Sequence, residues 1–531
     1  MTNRRAFFSG AAALAAGTLG APAAAAQTGQ DAGTPATCGT DPARDLATLS
    51  ARALRWSGPY PANWVRPRDG ADRNVVVLGA GHSGLGIAHG LKRKGIGNVA
   101  VIDQAEPGNA GIWRNIARMQ QLRTPKALAG PESGNVLLGF RAWYETQHGA
   151  GAFDALDRIQ RLDWADYLAW FQRTTSVQVR YGTRLVEIEP ADDLLRLHLL
   201  VNGTPRVEVT RKLVLANGYA GAGGPGLPDY VKNLPPRLWT HSTGAIPFDT
   251  FRGKVIAVVG AGANAFDAAG VALESGAAEV HLFDRRSYVD YALAPPGASS
   301  RPATPPAPVD RGFAAVTEYN CELPDIVRWR NFVAADSRPA SVPYDSMMRA
   351  VNFRNFHLHL DTNLADVAAA GNRVSARANG RAMRFDHLIS GTGYPVDLSA
   401  QPELKNIHQA IESWRDRFTP PAGEQNAAGA IHPYLGGGFE FLPRAGADRA
   451  AVACLRNVHC FNLAAQLSYG ILVGDIPSMV YHPRVVAAVA RDLYQQSVDV
   501  AAHERFVHSP LIAPDPAPYQ QRVEAGGRAA A

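Results

Sequence analysis

The sequence predicts an α/β fold of two parallel-sheet domains, the second inserted into the first, and three observations predict it. Residues 79 to 84, "GAGHSG", and residues 260 to 265, "GAGANA", are glycine-rich turns of nearly one design. Each follows a continuous apolar run and opens a stretch with helical spacing, the order of strand, tight turn and helix. Late in the chain, "DHLISGTGYPVDLS" restores the strand-then-glycine pattern and returns the chain to the first domain.

The elements follow in order. Residues 1 to 26, "MTNRRAFFSGAAALAAGTLGAPAAAA", carry paired arginines, a weakly apolar run from Ala6 to Leu19, and small residues at Ala24, Ala25 and Ala26. That is the anatomy of a cleavable signal peptide, and the run is shorter than the roughly 20 residues that cross a bilayer. Asn3-Arg4-Arg5-Ala6-Phe7-Phe8 resembles the twin-arginine export signal, which implies the twin-arginine export machinery as a partner. The expected location is periplasmic, or cytoplasmic if the leader does not function. Residues 27 to 70 read as a tether with a short helix near Leu46 to Trp56.

The ordered fold begins at Asn74, where "NVVVLG" reads as a buried parallel strand, "SGLGIAHGLKRKG" as a helix and "VAVID" as the next strand. "DWADYLAWFQRTTSVQVRYGTRLVEIEP" reads as a helix and two β segments, then come alternating strands at "LLRLHLLV" and "RVEVT" and a separate buried strand at "KLVLANG". "KVIAVVGAGANAFDAAGVALESGAAEVHLFDRR" repeats the first unit. Residues 287 to 345, with "APPGASSRPATPPAP", read as a long irregular loop region.

Bulk properties narrow the function. At 531 residues the chain exceeds one ordinary core, and 46% hydrophobic with 19% charged residues describes a folded globular protein. The net charge of +6 is spread among acids and bases without blocks, which argues against nucleic acid as a partner. Beyond the leader no segment is apolar enough to anchor the chain stably in a membrane. Cys38, Cys321, Cys454 and Cys460 show no C-x-x-C spacing, which argues against disulfide redox chemistry, and Cys454 and Cys460 could be paired or be buried thiols.

The chemistry lies in the turns. Gly79 permits the tight turn, Gly81 lets backbone approach a pyrophosphate, and Gly84 lets helix pack on strand, with Ser83 beside them. Phosphates at such a turn meet the helix N-terminus, whose free N–H groups and dipole favour anions. Asp103, ending the next strand, is placed to accept hydrogen bonds from an adenosine ribose. In the second copy Gly260, Gly262 and Ala265 fill the same roles, and Arg285 and Arg286 in "FDRR" suit the 2′-phosphate of NADP better than the bare hydroxyl of NAD. The fold class is therefore α/β with two Rossmann-like dinucleotide-binding domains, an arrangement suited to hydride transfer from nicotinamide to flavin. FAD and NADP are the expected cofactors.

With these motifs the chain resembles the class B flavoprotein monooxygenases, which include flavin-containing, Baeyer-Villiger and N-hydroxylating enzymes, over residues 72 to 495. "GIWRN" is similar to the family's Gly-x-Trp turn near the flavin, with Gly111 and Trp113 the matching positions. "LANG" and "GTGY" resemble the family's A-T-G linkers, and "THS" at His241 and Ser242 resembles the His-Ser before its second fingerprint. "FNLAAQLSYGILVGDIPSM" is similar to the flavin-side segment of the N-hydroxylating enzymes, at Asn462, Gly470 and Asp475.

Two departures matter. Pro235 and Arg237 stand where the Baeyer-Villiger signature has Phe and Gly, and Arg123 falls where the family has an asparagine near the flavin, which makes Arg123 the candidate catalytic residue. The expected domains are an FAD-binding domain at 71 to 234 and 386 to 510 and an NAD(P)-binding domain at 235 to 385 with the long insert 287 to 345, and composition places a disordered tail at 511 to 531. The resemblance implies that NADPH reduces FAD, and that a flavin hydroperoxide formed with dioxygen passes one oxygen atom to nitrogen or sulfur of a small molecule.

Three alternatives stay open: an exported FAD-dependent oxidase or dehydrogenase that does not use NADPH, Baeyer-Villiger oxygenation of a ketone, and a cofactor-holding protein with a vestigial second site. His82 in the first turn reads as a loop side chain. No metal site is expected, because no His, Cys, Asp or Glu cluster has ligand spacing, and His357 and His359 in "HLHLD" read as one strand face.

Overall fold

The structure, a computed structural model, describes residues 42–58, 60–128, 130–292, 318–338, 341–508 and 515–522. Apolar strands buried on both faces need cover on both sides, and the chain supplies it with helices and a second layer of strands. In the first lobe the strands Val179–Arg180, Val99–Ile102, Arg73–Leu78 and Thr204–Gly218 lie side by side in that order, with Val458–Asn462 also against Thr204–Gly218, all parallel. Thr183–Ala191 and Leu194–Val201 extend the sheet as an antiparallel meander.

The second sheet runs Phe356–His359, Glu279–Phe283, Val255–Val259, His387–Ser390, Trp239–His241, again parallel throughout. One face is covered by the helices Ala263–Glu274 and Tyr344–Val351, the other by the antiparallel strands Leu364–Ala370, Arg373–Ala378 and Arg381–Phe385.

The structure departs from four of these expectations. "RVEVT" and "KLVLANG" are one strand of 15 residues, Thr204–Gly218. Its first half pairs with the antiparallel meander and alternates polar with apolar residues, whereas Leu213 to Ala216 in its second half are buried between parallel neighbours and continuously apolar, so one strand carries two patterns. The strand His387–Ser390, expected to return the chain to the first domain, pairs with Val255–Val259 and Trp239–His241, so the second lobe extends past residue 385.

The irregular region 287 to 345 contains the helix Asp325–Asp336, held to the first lobe by Trp329, which is fully buried against Trp414 and Leu467 and donates to Glu424 O at 2.8 Å. Finally, residues 60 to 70 are docked, not a tether: Val65 is buried and Trp64 Nε1 donates to Lys94 O at 2.6 Å.

The helix Pro42–Trp56 packs on Phe140–His148 and is pinned by Ser50 Oγ donating to Leu137 O at 2.9 Å. The leader, residues 27 to 41, residues 293 to 317 of the long insert, Cys38 and most of the expected tail lie outside the described residues. Cys321, Cys454 and Cys460 are free thiols. Among the described residues no helix is long and apolar enough to cross a membrane.

Candidate active site

Both glycine turns stand at the carboxyl ends of their parallel strands, where open α/β sheets leave a crevice for ligands. The two are built alike. Gly79 has φ +102° and Gly260 φ +97°, conformations that favour glycine. A Cβ at Gly79 would lie 2.5 Å from Ala216 O, and one at Gly260 would lie 2.5 Å from Gly391 O. "LANG" and "GTGY" therefore perform the same job in their lobes: each crosses directly over its fingerprint glycine. A Cβ at Gly84 would collide with Gly79 O, so this glycine is demanded by helix–strand contact.

Gly81 and Gly262 are the N-caps of the helices His82–Arg93 and Ala263–Glu274, and neither helix start is capped by a side chain. The first amides of both helices are thus left to an anion. A Cβ at Gly81 would face Gly111 Cα at 3.7 Å, which leaves that approach lined by bare backbone. Ser83 Oγ and Trp113 Nε1 are buried with no partner among the described residues, and buried polar atoms normally have one. These features fit an FAD pyrophosphate at the first turn.

Asp103 ties the turn together by accepting from Ala80 N–H and Ala105 N–H, each at 2.8 Å, and a carboxylate has lone pairs left for a ribose. A depression lined by Ala80, Leu85, Ala110, Trp113, Leu168 and Tyr181 flanks it.

Asp475 caps the turn of residues 476 to 481 through Ser478 N–H, and its neighbour Gly474 packs against Gly218 of the first linker. Burial pushes its carboxyl up to about 7. His82 is buried beside Trp113, with ring centroids 5.8 Å apart, and burial brings its imidazole down to about 4 despite hydrogen bonding with the backbone of Asp475 and Gly474. It is therefore neutral packing material near neutral pH.

Arg123 comes from the first lobe and pairs with Asp267 Oδ2 of the second fingerprint helix at 2.8 Å. Asp267 is buried, and burial raises its carboxyl above the usual range against the pull of Arg123. The pair stitches the lobes across the cleft. Arg118 does the same by donating to Ser242 O and, at 2.7 Å, to Gly244 O, next to His241.

Between the linkers Tyr219 and Tyr394 stack with centroids 5.3 Å apart, His241 meets Tyr394 edge-on at 5.8 Å, and Asn264 donates to the Tyr394 hydroxyl. Sequence reasoning met Tyr394 only as the last residue of the "GTGY" linker and passed over Tyr219, Arg118, Asn264 and Asp267. One signal was available: both linkers read Gly-Tyr, at Gly218-Tyr219 and Gly393-Tyr394.

The second strand end places Arg285 exposed and Arg286 half-buried, with Asp284 buried and accepting from Arg286 N–H at 3.4 Å. Neither arginine is in an ion pair among the described residues, so both guanidinium groups are available to a ligand. Ala265 is fully buried, and its Cβ meets Gly391.

Two uncapped fingerprint helices, linker backbone over each turn, and an aromatic cleft between them define a flavoprotein oxidoreductase with two dinucleotide sites. Residues 73–298 match the family described as pyridine nucleotide-disulphide oxidoreductase. The chain is 38% identical over 438 residues to the FAD-dependent urate hydroxylase of Xanthomonas campestris pv. campestris, covering 81% of this chain and 89% of that protein.

Among solved structures, ornithine hydroxylase from Pseudomonas aeruginosa superposes with TM-score 0.60 at 16% identity, over 79% of this chain and 99% of that one. L-lysine 6-monooxygenase from Pseudomonas syringae gives TM-score 0.58 at 18% identity, over 80% and 100%. The chain belongs to the class B flavoprotein monooxygenases, and it is an FAD-dependent monooxygenase.

Proposed function

We propose that the chain is an NADPH-dependent hydroxylase of a small, planar, electron-rich heterocycle, with urate the first substrate to test. The observation that carries this is the 38% identity, over most of both chains, to a protein named as a urate hydroxylase. We favour a ring carbon over the nitrogen or sulfur acceptor that the sequence resemblance implied, because the amine hydroxylases share this fold at only 16% and 18% identity.

The cleft chemistry supports the same reading. The stacked Tyr219 and Tyr394 offer flat aromatic surface, and Arg123 and Arg118 supply positive charge beside it, a combination that suits a planar anion. Bound at the first turn, FAD supplies the activation of dioxygen. The chain's own work is to bind, orient and exclude water: Gly81 and the first helix amides take the pyrophosphate, and Asp103 takes the ribose. Arg285 and Arg286 take the 2′-phosphate of NADP.

Arg118, Arg123 and Asp267 hold the two lobes in register so that nicotinamide and flavin face one another. Arg123 is then a positioning residue held by Asp267, close enough to the tyrosines to add charge at the cleft.

The test is to give the FAD-loaded protein NADPH and urate under ¹⁸O₂. The expected result is consumption of NADPH matched to loss of urate, with one ¹⁸O atom in the purine product. NADPH oxidation that ignores urate and returns all of its electrons as hydrogen peroxide would overturn the reading in favour of an oxidase.

A further inference from the structure

The outer edge of the second sheet carries a side-chain cluster unrelated to the cleft. The parallel strands Glu279–Phe283 and Phe356–His359 are paired with His357 directly opposite His281. Side chains two apart on a strand share a face, so Glu279 joins His281, and His359 joins His357. One ligand atom from each of Glu279, His281 and His357 lies within 4.8 Å of the others, the one such group among the described residues.

We propose that Glu279, His281 and His357 form a binding site for a zinc-class divalent cation. Two imidazoles and a carboxylate are the donor set that zinc accepts, whereas magnesium and calcium want oxygen ligands alone. The arrangement around His281 supports this. Its Nε2 lies 2.9 Å from Glu279 Oε2, and its Nδ1 lies 3.0 Å from His359 Nε2.

A cation replaces the proton that His281 Nε2 shares with Glu279 Oε2, and in the cation-bound tautomer Nδ1–H donates to His359. His359 then orients the ligand from behind, as outer partners of metal-bound histidines do. His281 is 8% exposed and anchored, while Glu279 is exposed and His357 half-exposed, so two mobile ligands can close on one fixed one. A water completes four-coordination.

The site braces two strands at the point from which they run to Asp284, Arg285 and Arg286. Asp284 N–H donates to His359 O at 2.9 Å, and Asp361 N–H donates to Arg286 O at 2.9 Å. A bound cation therefore stiffens the strand end that carries the arginine pair.

The experiment is calorimetric titration of the chelator-treated, FAD-loaded chain with zinc chloride, and separately with magnesium chloride, alongside the absorption spectrum of the cobalt(II) form. The expected result is one zinc per chain, no magnesium binding, and a tetrahedral cobalt spectrum.

Glu279→Gln and His357→Ala, both at surface positions that leave the core intact, should each weaken zinc by tenfold or more, and His359→Ala by about tenfold. Flavin content and circular dichroism check that each variant is folded. Absence of zinc binding, or binding that Glu279→Gln and His357→Ala leave unchanged, would overturn the proposal. Because the readout is metal affinity, it is independent of the substrate reading.

Discussion

Asp475 shows how one buried group should be felt in solution. Its carboxyl moves from an ordinary 3.8 up to about 7 because burial penalises the charge. Between those values the folded chain keeps a proton that the unfolded chain has released. The resulting stability is full below the lower value and is lost as pH rises through the upper one.

Asp475→Asn keeps a capping oxygen for Ser478 N–H and removes the titration. Unfolding free energies from urea titrations should therefore fall more between pH 5 and pH 8 in the parent than in the variant, by an amount on the order of a few kcal/mol. His82 and the other buried histidines are common to both proteins and cancel in the comparison. An equal fall in both would show that Asp475 does not titrate in this window.

Gly81→Val gives a second residue-scale prediction. The branched side chain would occupy the bare-backbone approach facing Gly111, so the purified variant should be folded but colourless. Gly79, Gly84 and Gly260 were legible in the sequence because a side chain at each would collide with backbone. The tyrosine stack and the Arg123–Asp267 pair were not, because their members come from segments 175 and 144 residues apart in the chain (394 minus 219, 267 minus 123) and only the closed fold apposes them.

At the scale of elements, the strand–turn–helix units were legible for the same reason: a parallel strand buried on both faces must be continuously apolar, and its helix must start at the glycine. What stayed hidden were elements whose pattern depends on neighbours. Thr204–Gly218 changes sheet environment midway and so changes pattern midway. The helix Asp325–Asp336 draws its order from Trp329 buried against Trp414, in a stretch whose proline-rich approach read as loop. The histidine cluster is a product of strand register alone: His281 and His357 are 76 residues apart (357 minus 281) and adjacent only after pairing.

One prediction belongs to the strand end after Phe283. Replacing Arg285 and Arg286 with alanine removes charge-assisted bonds worth roughly 1.5 to 3 kcal/mol each. Because about 1.4 kcal/mol is tenfold, the KM for NADPH should rise by at least a decade while that for NADH changes little. Equal effects on both would mean that the pair does not read the 2′-phosphate.

At the scale of the molecule, one lobe interrupts another, and Arg118, Arg123 and Arg349 are among the side chains that tie the lobes across the cleft. We propose that a chain whose cofactor site needs both lobes is exported after folding, as the Arg4-Arg5 leader suggests. Changing both arginines to lysine should leave flavin-loaded protein in the cytoplasm, and fractionation showing it in the periplasm would contradict export by that route.

We propose that the two turns hold FAD and a nicotinamide dinucleotide close enough for hydride transfer. This is tested most directly by mixing the FAD-loaded protein with NADPH under strict exclusion of oxygen and following flavin absorbance. Full bleaching of the oxidised flavin is expected in the parent, and retained flavin that NADPH no longer reduces when Gly262→Val blocks the second turn. A parent flavin that stays oxidised, or a Gly262→Val flavin reduced as fast as the parent's, would contradict it.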